Sequence, residues 1–137
     1  MDQVFFIANK KVKAKTVNID KDGKLYILLS DLEKKNIEKL TIIGQMNGSD
    51  FKIIHDMATN NKLSFIDLSE TNIISGGDYY YIGLSTKNNE FGDFLLSGFI
   101  KLEKIKLPKT IVEIVQYAFS DCSNLTFLII YSKLKNN

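Results

Sequence analysis

The sequence carries one cysteine, one proline, one histidine and no tryptophan among 137 residues. A single cysteine excludes an internal disulfide and a multi-cysteine zinc site, and it leaves the redox compartment unreadable. A single histidine restricts any histidine-based chemistry to His55. Charge of one sign is lacking as well: 18 basic residues stand against 16 acidic ones, a net charge of +2. That imbalance is too small to imply nucleic acid or an anionic membrane as partner. No apolar run approaches the roughly 20 residues that a membrane-spanning helix needs. Val4 to Ala8 (VFFIA) is too short for a signal-peptide core and has no basic stretch before it, so any export signal is expected to lie outside this sequence. No glycine-rich phosphate loop is present, because Gly76-Gly77 does not open a helix.

What remains is a chain with 45% hydrophobic and 25% charged residues. This composition predicts one folded domain large enough to bury a real core, not a disordered segment. The locally basic stretch Asn9 to Lys15 alternates lysine with Val12 and Ala14, and it reads as a solvated strand face.

The apolar residues of Leu107 to Ile130 (LPKTIVEIVQYAFSDCSNLTFLII) keep neither helical nor strand spacing for long. Shifting the stretch back by 23 residues explains them. Ile114 then meets Phe91, Tyr117 meets Phe94, Phe119 meets Leu96, Leu125 meets Leu102, Leu128 meets Ile105 and Ile130 meets Leu107. Large apolar positions keep their character while polar ones drift, as repeated burial beside a free surface requires. The unit contains L-x-x-L-x-L: Leu102-Glu-Lys-Ile-Lys-Leu107, Leu125-Thr-Phe-Leu-Ile-Ile130, Leu63-Ser-Phe-Ile-Asp-Leu68 and a weaker Ile37-Glu-Lys-Leu-Thr-Ile42. The last three residues of each alternate in-out-in, as a short strand does. One such strand cannot bury its face alone, and about four stacked in parallel can.

The connections differ in length. Ser49 or Asp50 is the expected cap of a helix running to Thr59, with Phe51, Ile54, Met57 and Ala58 on one side and Asn60-Asn61 closing it. A polar insertion over 74–90 follows the second repeat strand, with turn signals at Gly76-Gly77 and Asn88-Asn89. The third return is short and begins at Pro108, which has no N–H to give a sheet. Residues 1–36 are atypical: a strand over Val12 to Ile19, a tight-turn signal at Asp22-Gly23, an apolar run over Leu25 to Leu29, and a capped helical turn at Ser30-Asp-Leu-Glu. Such a segment suits a cap over the end of a stack.

The stretch Leu107 to Ile130 resembles the repeat of BspA-like leucine-rich-repeat proteins, whose pattern is written around LP…v..I...AF..C..L..i.i. Gly23 to Phe51 together with Leu63 to Tyr80 is similar to the N-terminal cap and first repeats of such proteins. The resemblance covers roughly Gly23 to Tyr131. It departs at Val115, where the family has glycine, and at Leu95 to Phe99, where Ala-Phe and Cys are expected, so the earlier of these two repeats is degenerate. The resemblance implies an α/β fold, a right-handed leucine-rich-repeat solenoid with a short parallel sheet, one or two helices and an N-terminal β cap. It also implies a bacterial cell-surface or secreted protein that binds other macromolecules, with no catalytic residues to carry over. The expected division is a cap over 1–36 and a repeat region over 37–137 within one domain.

Catalytic and metal readings are weak beside this. Asn18 to Gly23 imitates the start of a calcium loop, but the position that needs a bidentate glutamate is Leu29. A dyad of Cys122 with His55 would bridge distant repeats without an orienting third group. His55 therefore reads as a half-buried helix residue and Cys122 as packing at the bend. Neither a cofactor nor a metal is expected. The triplets Asn47-Gly-Ser49 and Asn124-Leu-Thr126 match the glycosylation signal, and the second lies inside a repeat.

Two surfaces are expected to carry partner binding. One is the outward strand face, formed by Phe65, Asp67, Lys104, Lys106, Phe127 and Ile129. The other is the run Tyr79, Tyr80 and Tyr81, since three consecutive tyrosines cannot all point inward. The partner class is a protein or a glycan, with no nucleic acid and no membrane insertion. The last strand is followed only by SKLKNN, which leaves its apolar side and edge uncovered and raises the expectation of a homo-oligomer formed through the C-terminal strand.

Overall fold

Period-two alternation of apolar residues sets most of the strands, and the recurring L-x-x-L-x-L unit sets how the repeat strands stack. The computed structural model describes residues 3–7 and 10–131; the Ala8 and Asn9 ends of the stretches discussed above and the SKLKNN tail lie outside the described residues. The chain runs β1 (Gln3–Ile7), β2 (Lys10–Ile19), α1 (Leu25–Leu28), α2 (Asp31–Asn36), β3 (Lys39–Met46), α3 (Gly48–Asn60) and β4 (Phe65–Ile73). It continues through β5 (Gly76–Tyr81), β6 (Leu84–Thr86), β7 (Glu90–Phe91), β8 (Lys104–Lys106), β9 (Glu113–Ile114) and β10 (Phe127–Ile129).

The main sheet has six strands in the order β1-β2-β3-β4-β8-β10. β1 is antiparallel to β2, and every other neighbouring pair is parallel. Helices and a mainly parallel sheet make this an α/β fold. The sheet extends beyond the four repeat strands because β2 joins the parallel stack, with Val17 opposite Ile42. The turn signal at Asp22-Gly23 does not close a hairpin. Gly23 takes the left-handed conformation (φ 89) and leads into α1, so Leu25 to Leu28 is helical rather than extended. The cause is Asp50, which lies fully buried on α3. Its carboxylate accepts the N–H groups of Gly23 (2.6 Å), Leu25 (2.9 Å) and Asn47 (2.9 Å), and so docks the loop on the helix.

The register confirms the frame of the L-x-x-L-x-L copies. Leu40 pairs with Ile66, Ile66 with Ile105, and Ile105 with Leu128. The inward residues of the first three copies, from Ile37 through Leu107, are all fully buried. Burying each such side chain is worth about 1.5–3 kcal/mol, which holds the frame against a one-residue slip. In the last copy Leu128 and Ile130 remain 39% and 43% exposed, because β10 is the sheet's edge strand.

Helix α3 covers one side of this stack with Phe51, Ile54, Met57 and Ala58 buried. Its N-cap is Asn47, not Ser49 or Asp50. Asp50 turns back to the Asn47 N–H, while Asn47 Oδ1 accepts from Ser49 N–H at 2.9 Å, which forms a capping box. The expected box at Ser30 and Glu33 is present on α2. The insertion over 74–90 forms the antiparallel pair β5–β6, with its turn at Ile82-Gly83 instead of at Gly76-Gly77. The late returns stack on one another at the 23-residue step. Phe91 pairs with Ile114, Leu96 N–H donates to Ala118 O at 2.9 Å, and Gly98 N–H donates to Ser120 O at 2.8 Å.

Candidate binding surfaces

Each core strand leaves alternate residues on the side away from Ile66, Ile105 and Leu128. The register aligns them into two rows across the sheet: Phe65, Lys104 and Phe127, and Asp67, Lys106 and Ile129. β3 extends the rows with Lys39 and Thr41. Lys39 Nζ lies 4.7 Å from the centre of the Phe65 ring and Lys104 Nζ 5.9 Å from it, close enough for cation–π attraction. Asp67 accepts from Ser69 N–H (3.0 Å) and Ser69 Oγ (2.7 Å), and it faces Lys106 Nζ at 3.8 Å. The six face residues named from the sequence therefore form one continuous surface. Lys39 and Thr41 were not named. The signal for them was available, since Ile37 to Ile42 reads as a weaker copy of the same unit.

The tyrosine run divides by strand alternation. Tyr79 and Tyr81 on β5 are 64% and 41% exposed. Tyr80 points the other way and is buried, which removes it from the candidate surface. Its hydroxyl donates to the Asp93 carbonyl at 2.7 Å, and burial, then the charges of Asp93 and Glu90, push its pKa up to about 12. Tyr81 stacks on Phe94 (centroids 5.0 Å apart, 14° between planes), and Phe94 stacks on Tyr117 (5.5 Å, 9°). Phe94 holds the middle of this stack from a left-handed backbone (φ 56), a conformation costing a bulky residue on the order of 1–3 kcal/mol. Phe94 and Tyr117 are repeat equivalents, so the 23-residue alignment already contained their contact.

A third feature was missed by sequence reasoning. A groove of about 740 Å³ crosses the N-terminal ends of four strands. Its lining includes Glu38, Ser64, Glu103 and Thr126, each directly before its strand. Lys62, Lys101 and Asn124, two positions earlier in their units, line it as well, together with Asn61. The signal was a polar residue at the same place in every repeat. It was invisible as chemistry, because polar positions in a repeat read as solvated surface.

His55 is half-buried, with its ring edge-on to Phe99 at 5.0 Å, and it does not line the groove. Cys122 is half-buried too; its Sγ donates to Leu96 O at 3.1 Å, and burial pushes the thiol pKa up, away from the reactive thiolate. Asp22, the would-be calcium ligand, instead accepts from Asn47 Nδ2 at 2.9 Å. Among the described residues, no three His, Cys, Asp or Glu side chains are grouped to hold a metal.

No curated protein matches the chain. Residues 78–137 match the family model described as BspA type leucine rich repeat region (6 copies). The match begins inside β5 and takes in β8 and β10, while β3 and β4, which share their register, precede it. Over residues 78–137 the chain is similar to BspA-type leucine-rich repeats.

Proposed function

We propose that the chain is a non-catalytic binding module that recognises a protein or glycan partner through the outward face of its sheet, in an adhesive role at a bacterial cell surface or outside the cell. The observation that carries this reading is the alignment of Phe65, Lys104 and Phe127 beside Asp67, Lys106 and Ile129. An apolar and charged face of this kind, held on a sheet whose other side is buried from Leu40 through Ile105, offers a rigid platform at low ordering cost. The match to a BspA-type repeat region supports a binding role and the surface location. No helix among the described residues is long and apolar enough to cross a membrane.

In this reading the parallel strands and their returns wind as a right-handed solenoid, since crossovers between parallel strands take that hand in nearly all proteins. Residues 1–36 act as the N-terminal cap and 37–137 as the repeat region. The test is binding to an array of glycans and extracellular proteins by three forms: the intact chain, Asp67→Ala with Lys106→Ala, and Tyr79→Ala with Tyr81→Ala. The face variant is expected to lose its ligand. Equal binding by all three forms refutes both the face and the tyrosines.

A second reading rests on β10. Phe127 and Leu128 on this edge strand and Ile130 directly after it are 47%, 39% and 43% exposed, so a second copy pairing along it would bury apolar surface and satisfy its backbone. Sedimentation giving a monomer at high concentration would dismiss this self-association.

A further inference from the structure

We infer that the polar groove across the N-terminal ends of β3, β4, β8 and β10 is a separate site for an extended, uncharged oligosaccharide. Strand starts follow one another at about 4.8 Å, so four of them give a track of roughly 14 Å. The groove volume of about 740 Å³ falls within the range of small-ligand sites.

The spacing favours a sugar chain over a peptide. One hexopyranose unit of an extended glycan is close in length to the distance between strands, so successive sugars meet successive strand ends. An extended peptide returns to the same side only every two residues, about 6.7 Å, and falls out of step after one strand.

The lining chemistry agrees. Glu38 and Glu103 balance Lys62 and Lys101, so the groove has no net charge with which to select an anion or a cation. Each sugar hydroxyl both donates and accepts. Carboxylates accept from hydroxyls, ammonium groups donate to them, and Ser64, Thr126 and Asn124 do both. The donors are held in place by backbone and amide oxygens: Lys101 Nζ by Asn61 O (2.6 Å), Lys62 Nζ by Asn36 Oδ1 (3.4 Å) and Asn124 Nδ2 by Ile100 O (2.7 Å). An ammonium has three N–H donors and an amide nitrogen two, so each keeps capacity for a ligand after being held. Among the described residues the lining holds no aromatic ring, so binding rests on hydrogen bonds and is weak.

This site is independent of the sheet face proposed above, and its test separates the two. Amide shifts of the ¹⁵N-labelled chain are followed by NMR during titration with cellotriose, with triacetylchitotriose, and with triglycine as the extended-peptide probe. Saturable shifts at Ser64, Lys101, Glu103, Asn124 and Thr126 are expected with at least one saccharide and not with triglycine. Glu103→Ala and Lys101→Ala, both at exposed positions, should each weaken binding about tenfold, the effect of one lost hydrogen bond to a charged group. Asp67→Ala with Lys106→Ala should leave the saccharide titration unchanged. No groove shift with either saccharide at concentrations on the order of 10 mM overturns the inference. Equal response to triglycine, or indifference to both groove variants, does so as well. Any of these failures leaves the sheet-face reading standing, because that reading is judged on the Asp67 and Lys106 variant and its own ligand.

Discussion

Replacing Asp50 is the sharpest test of how the N-terminal segment is joined to the repeats. The residue is fully buried in the first turn of α3 and has three backbone donors as partners. One carboxylate oxygen takes Gly23 N–H at 2.6 Å and Asn47 N–H at 2.9 Å; the other takes Leu25 N–H at 2.9 Å. Asp50→Ala leaves all three donors without their partner, and the buried Leu25 and Asn47 N–H groups each cost about 1–3 kcal/mol, with the part-buried Gly23 N–H costing less. Water entering the space and relaxation of the loop over 20–24 reduce the sum, so a loss of about 3–5 kcal/mol is expected. Asp50→Asn keeps the shape and one accepting oxygen but turns a donor towards a donor, so about 1–3 kcal/mol is expected. Urea unfolding reads both. With a slope near 2 kcal/mol/M, the alanine variant should lose about 2 M of midpoint and the asparagine variant about half of that. Hydrogen exchange adds location: Gly23 and Leu25 should lose protection before Ile66 does. An Asp50→Ala protein within about 1 kcal/mol of the parent would refute the view that this carboxylate docks the segment.

Three further outcomes follow from single sites. Gly44 sits at φ 115 with a would-be Cβ colliding with the Ile19 carbonyl oxygen, so Gly44→Ala should disrupt the β2–β3 pairing and cost about 3 kcal/mol or more, read as a lowered Tm. The hydrogen bond from Lys15, then the Ser30 N–H, hold Glu33 down from 4.5 to about 2. A depressed folded value stabilises above pH 4.5 and is lost as the pH falls through about 2; because the pair is solvent-screened, Glu33→Gln should cost only about 1 kcal/mol at neutral pH and nothing near pH 2 in acid unfolding curves. Tyr80 is raised from 10.0 to about 12, so its contribution is intact below pH 10 and lost as the pH rises through 12; Tyr80→Phe should lose about 1 kcal/mol at neutral pH with its hydrogen bond and flatten the alkaline end of the stability curve.

The repeat frame was legible because burial writes it twice, once along each strand and once in every copy of L-x-x-L-x-L, with the 23-residue step holding between the last two copies. Leu40, Ile66, Ile105 and Leu128 are found in the row that their spacing predicts. The N-terminal segment was less legible because its organiser is remote. Asp22-Gly23 carries a genuine turn signal, but Asp50, 27 residues away from Gly23, decides that the turn feeds a helix rather than a hairpin. The cap of α3 was misplaced for a related reason: Asn47, Ser49 and Asp50 are all competent caps, and only the reciprocal hydrogen bonds select Asn47. At the candidate surfaces, strand alternation separates Tyr80 from Tyr79 and Tyr81, but which of the two sides is buried depends on Asp93 offering its carbonyl to the Tyr80 hydroxyl.

The rows themselves show where function can reside in such a fold. A one-residue slip of β8 would bring Lys104 or Lys106 inward and expose Ile105, so the buried rows admit almost no chemical freedom. The face rows are free, and they alternate in kind: Lys39, Phe65, Lys104 and Phe127 mix cations with rings across one line. The groove rows are equally free of the core, yet they stay polar in every copy, as Glu38, Ser64, Glu103 and Thr126 directly before the strands and Lys62, Lys101 and Asn124 two positions earlier. Mixed rows suit a partner that reads a particular surface. Uniformly polar rows at one strand spacing suit a partner that itself repeats, such as a chain of sugars.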